Sequence, residues 1–220
     1  LKVLNDRGHG TYTNIAEAIQ YAAANGAAVI NLSLGGDSHS DTLQQAVRNA
    51  YEAGALLVAS TGNVGSSAVL YPARYAEALA ISATDYYDQW PSYSNWGAEV
   101  DLAAPGGTSE AQVWSAWPWL LGSYYDWEYG TSMATAHVAG AAALLWSVNP
   151  TLTQDEVADI LRQTADQVGQ FPYVGERNNY LGHGRLNAHQ ALRHALPPSL
   201  AVEPAQLLFL GDSHQAPDTQ

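Results

Sequence analysis

The chain has 220 residues, enough for one domain with a substantial core. Apolar residues make up 47% and charged residues 13%, which excludes a disordered or fibrous chain. The 21 acids against 8 Lys and Arg leave a net charge of −13 without a basic cluster, so nucleic acid and an anionic membrane surface are not expected partners.

Leu1–Leu4 reads as a short strand, and a chain that opens inside a strand is expected to be an internal piece of a longer protein. After a glycine-punctuated loop, Asn14 stands three residues before Glu17, which predicts a capped helix through about Ala24, stopped at Asn25-Gly26. "AAVINLSLGG" is a continuous apolar run closed by glycines, the pattern of a strand buried on both faces. Ser40-Asp41 caps a second helix that Gly54 ends, and "ALLVASTGN" repeats the buried strand with its glycine turn. Further strand-and-turn units follow in "ALAISAT" and "EVDLAAPGG". An insert rich in Trp and Tyr separates Gly107 from Tyr129.

A long helix is expected over Thr131–Val148, stopped by Asn149-Pro150. Thr153 and Glu156 frame a capping box for the next helix, and a last short helix ends near Ala195. "LPPS" reads as a linker, and the residues after it alternate like the first strand of a β domain. The expected division is therefore 1–195 and 196–220. Strand–helix alternation at these spacings predicts an α/β fold with a mostly parallel sheet and helices on both faces. Ligands of such sheets gather beyond the carboxyl ends of the strands, where "SLGG" and "STGN" both fall. With no cysteine, disulfides and thiolate metal sites are excluded.

Ser132 stands between Gly130-Thr131 and an Ala-rich run, at a predicted helix start. Unpaired N–H groups and a partial positive charge at that end suit a developing oxyanion. An amide brought in from a neighbouring strand end would add a second donor. "GTSMATAHVAG", "VINLSLGG" and "VASTGN" resemble, in sequence, order and spacing, the subtilisin-like serine peptidases (subtilases), over Leu1 to about Leu192.

The resemblance implies a serine endopeptidase with Ser132 as acylating nucleophile and Asn63 as oxyanion donor. It implies that Ser33, Leu34 and Gly35 pair with the substrate as an added strand, and that Gly62 and Leu70 line the pocket before the scissile bond. A bulky Leu70 would shorten that pocket. No cofactor is required for the chemistry, although structural Ca²⁺ or Na⁺ is possible around Ala73, Tyr75, Ala78 and Asp101. A polypeptide substrate, a propeptide in the precursor and a secreted location also follow from the resemblance. Two departures concern the site: Tyr129 precedes Gly-Thr-Ser where a small or polar residue is usual, and Ala136 replaces a proline.

The triad of this family runs Asp, His, Ser, and its first two members precede the strand at which this chain opens. "GHGT" at Gly8–Thr11 is a decoy for the histidine segment, because it continues Tyr-Thr-Asn-Ile rather than His-Val-Ala-Gly. His137 lies five residues beyond Ser132 and reads as structural. Two rivals stay open. One is a pseudopeptidase that binds peptides without cutting them. The other is an α/β-hydrolase using Ser132, Asp166 and His183, against which Ala134 stands where the elbow requires glycine.

Overall fold

In the computed structural model, which describes residues 1–116 and 124–196, four parallel strands lie in the order β1-β2-β3-β4. They span Val29–Leu32, Leu56–Ser60, Ala78–Thr84 and Leu102–Pro105. Parallel neighbours need crossover connections, and helices supply the bulk of the covering layers. Helices α1 (Tyr12–Ala24) and α2 (Asp41–Glu52) cover one face. Helices α3 (Thr131–Val148), α4 (Gln154–Gln163) and α5 (Ala188–Ala195) cover the other.

The pleat divides the core in two. Leu57 and Ala59 of β2 join Ile15, Ile19, Leu43 and Val47 on one side. Leu56 and Val58 join Val138, Leu145, Val157 and Leu161 on the other. Every residue of β2 and β3 is buried, as strands covered on both faces require. The expected α/β architecture is the observed one.

Four local expectations need correction or refinement. Residues 1–4 form no strand: a strand needs a ladder partner, and of these residues Leu1 and Val3 instead border a groove against Val29–Leu32, with Val3 packed on the first core. Strand β1 is the edge of the four and leaves Asn31 exposed, so only Ile30 and Leu32 have the predicted burial. Helix α1 starts before Asn14, because the Thr11 hydroxyl accepts from Asn14 N at 3.2 Å and caps it there. The aromatic insert forms an antiparallel hairpin of β5 (Val113–Ala116) and β6 (Tyr125–Glu128). Residues 117–123 and the expected linker and β domain, apart from Leu196, lie outside the described residues.

The hairpin has two unlike faces. Trp114 pairs with Trp127, and its ring lies 4.7 Å from that ring and 5.7 Å from Tyr125. By strand alternation, Val113, Ser115, Asp126 and Glu128 share the opposite face. Helix α4 carries the predicted capping box, with Thr153 N donating to Glu156 Oε2 at 2.7 Å and Glu156 N to the Thr153 hydroxyl at 3.3 Å.

Candidate active site

The strand ends deliver two loops to the start of α3: Ser33–Gly36 after β1 and Thr61–Asn63 after β2. Gly130 precedes the helix with φ 144°, a conformation L side chains rarely adopt, and donates its N–H to Gly106 O at 2.9 Å. It offers no side chain to cap the helix, and Asn63 does so from outside. Asn63 Oδ1 accepts from Thr131 N at 2.9 Å and from the Thr131 hydroxyl at 2.8 Å. That hydroxyl in turn accepts from Gly62 N at 3.3 Å.

These two bonds fix which way the Asn63 amide faces. Its Nδ2 then has no acceptor among the described residues and lies beside Gly130, where a Cβ would come within 3.0 Å of it. The N–H of Ser132 is likewise without an acceptor among them. Two unpaired donors therefore stand at the positive end of an 18-residue helix, next to a serine hydroxyl.

Ser132 is held from the other side as well. The Ser33 hydroxyl donates to Ser132 O at 2.9 Å and accepts from Asn31 Nδ2 at 3.0 Å. Ser132 Oγ itself donates to Ser33 O at 3.5 Å, a long bond. Among the described residues no histidine bonds to it. His137 places Nδ1 2.9 Å from Met133 O on its own helix. His9 borders the cavity of Ser33–Gly36. His183 lies in a separate cavity with Arg162 and Glu176, where burial and then the charges of Arg177 and Arg162 push its pKa down. Asp166 is bound to Arg185 at 2.7 Å and to Asn187 at 3.0 Å. The serine, aspartate and histidine of the α/β-hydrolase rival are thus not brought together.

Gly36 exchanges both backbone bonds with Tyr71, at 2.9 and 2.8 Å. Gly35, one residue earlier, has neither its N–H nor its C=O paired among the described residues, and it is exposed. An extended peptide could add there as a strand. Leu70 fills the space between the two glycine edges: a Cβ on Gly35 would meet Leu70 Cβ at 2.9 Å, and one on Gly62 would meet Leu70 Cδ1 at 2.8 Å.

Ser33 borders two cavities. One, about 350 Å³, runs along Leu34, Gly35 and Tyr71. The other, about 820 Å³, contains Ser132, Met133 and the β5–β6 hairpin. Ala136 lines the larger cavity, and Tyr129 sets its ring edge-on to Tyr93 at 5.4 Å. At the suggested cation position, Asp101 accepts from Arg162 Nε at 3.1 Å and from Ala80 N at 2.9 Å, so its carboxylate is engaged within the protein.

Three contributors escaped the sequence reading. Thr131 orients Asn63, and the Ser33 hydroxyl holds the Ser132 peptide. Asn95 braces the loop behind both, accepting from Val64 N at 3.0 Å and Ser66 N at 3.1 Å while donating to Ala68 O at 2.9 Å. Thr131 had a signal, standing beside the candidate nucleophile in "GTS". Asn95 had none.

Comparison with known proteins extends the likeness. The sequence model of the subtilase family matches residues 1–191. Subtilisin BL of Lederbergia lenta is 44% identical over 193 residues, which cover 88% of this chain and 66% of that protein. An alkaline protease of Alkalihalobacillus alcalophilus is 43% identical over 193 residues, 47% of its length. The solved structure of a lanthipeptide protease superposes with a TM-score of 0.77 at 26% identity, covering 88% of this chain and 68% of that one. The chain therefore spans about half to two thirds of the curated relatives it matches.

Proposed function

Since the chain belongs to the subtilase family, we propose that the protein it forms part of is a serine endopeptidase with Ser132 as its nucleophile. The observation that carries this reading is the pair of unpaired donors, Ser132 N–H and Asn63 Nδ2, at the helix end that bears Ser132. A base supplied by a segment of the longer protein takes the Oγ proton as Oγ attacks the scissile carbonyl carbon. The carbonyl oxygen gains the negative charge and accepts from the two donors. The amine then leaves with the proton, and water hydrolyses the Ser132 ester.

The substrate backbone runs along Ser33, Leu34 and Gly35, and Gly62 forms the facing edge of the pocket for the residue before the scissile bond. Leu70 closes that pocket, so small or medium apolar side chains are preferred there. The chemistry needs no cofactor, and a structural Ca²⁺ or Na⁺ elsewhere in the protein is compatible with the family. Among the described residues no helix is long and apolar enough to cross a membrane. Secretion with a removable propeptide, and a linker leading into the start of a β domain over 196–220, complete the proposal.

A fluorophosphonate probe tests it. The longer protein is expected to label at Ser132, identified by mass spectrometry of the adduct. Failure of the folded longer protein to label would favour a peptide-binding pseudopeptidase instead.

A further inference from the structure

The larger cavity beside Ser132 carries an unbalanced charge. On the hairpin side it is lined by Val113, Ser115, Asp126 and Glu128, which alternation puts on one face of β5–β6, together with Trp114 and Ala116 of β5, and across from them lie Met133, His137 and Leu144 of α3. Neither Lys nor Arg is among its lining residues. Glu128 is half-buried, and its carboxylate has no hydrogen bond or ion pair among the described residues. Among the described residues Asp126 accepts only from the N–H of its own neighbour, Trp127, at 2.8 Å. A partly desolvated carboxylate without a partner is costly, and a cation entering the cavity would relieve that cost.

The two cavities meet at Ser33. If the acyl part of a substrate lies along Ser33–Gly35 in the smaller one, the leaving-group part emerges past Ser132 into the larger one. We infer that the Asp126–Glu128 face of the β5–β6 hairpin is a specificity wall that selects a Lys or Arg side chain on the leaving-group side of the scissile bond. This rests on the endopeptidase reading above and adds the substrate class to it. From the hairpin's other face Trp114 and Ala116 also border the cavity, whereas Tyr125 and Trp127 do not line it.

The test uses the full-length protein and internally quenched peptides that differ only in the residue after the scissile bond: Lys, Arg, Ala or Glu. Lys and Arg are expected to exceed Ala in kcat/KM by about tenfold, with Glu lowest, and 0.5 M salt should compress the series. In the double variant Asp126→Asn, Glu128→Gln the Lys-to-Ala ratio should fall to about one. Equal rates across the four peptides, or a Lys preference that survives in the double variant, would overturn the inference while leaving the peptidase reading intact. If no peptide is cut, the peptidase reading fails and binding decides the inference. Labelled peptides beginning with Lys should bind the full-length Ser132→Ala protein about tenfold tighter than those beginning with Glu, and lose that margin in the double variant. Equal binding would overturn it.

Discussion

At the scale of single residues, the site turns on the division of Asn63 between two tasks. Its Oδ1 is occupied by Thr131, and its Nδ2 is left to donate. If that donor meets the oxyanion, its bond strengthens as charge develops. Asn63→Ala is then expected to lower kcat of the full-length enzyme by about 10²–10³ with KM nearly unchanged. Steady-state kinetics on a short peptide would check this, and a raised KM at constant kcat would contradict it. Leu70 offers a second handle, since its side chain occupies the space between Gly35 and Gly62. Leu70→Gly should raise kcat/KM for Phe or Tyr before the scissile bond, relative to Ala, by about 10-fold or more. An unchanged profile from a peptide library would mean that Leu70 does not limit the pocket.

At the scale of elements, legibility in the sequence tracked how local each determinant is. Helix α3 was readable to both ends because Gly130 and Asn149-Pro150 punctuate it, and α4 because Thr153 and Glu156 satisfy each other within one turn. Helix α1 was misplaced at its start because two nearby residues can cap, and the Asn14…Glu17 spacing imitates a box that Thr11 pre-empts. The candidate strand at Leu1–Leu4 depended on a partner that no local pattern reveals. The hairpin is written as a period of two, but the density of Trp and Tyr obscured it. Within the site, Ser132 and Asn63 were legible from their segments. The bonds that orient them come from Thr131 and Ser33 across separations of 68 and 99 residues. The capping box also yields an element-scale prediction: Thr153→Ala should destabilise by about 1 kcal/mol, lowering Tm by about 2–4 °C in a thermal melt. No shift would mean that Glu156 alone sustains the turn.

At the scale of the whole molecule, the described residues hold donors, backbone edge and nucleophile together but bring no histidine to Ser132. Residues 1–220 expressed alone are therefore expected to resist rapid fluorophosphonate labelling that modifies the longer protein at Ser132. Preformed donors without a base leave only a small part of the enhancement, about 10³–10⁴-fold over water. Rapid labelling of the isolated chain would show that a base is present after all, and His9 would be examined first because its cavity shares Ser33 with the nucleophile's.

The division of the core into two has an optical consequence. All seven tryptophans lie at or beyond Trp90, and among the described residues the first core, with Tyr12, Tyr51, Tyr71 and Tyr75 in or against it, contains none. Trp146 packs on the second core. The indole of Trp146 therefore watches one side of the sheet, while the aromatic rings described in or against the first core are phenols. Since alternate residues of β2 belong to both cores, loosening either should be felt across the sheet, and emission excited at the red edge should follow the loss of helical dichroism. A lag between the two signals would reveal the tyrosine side melting unseen.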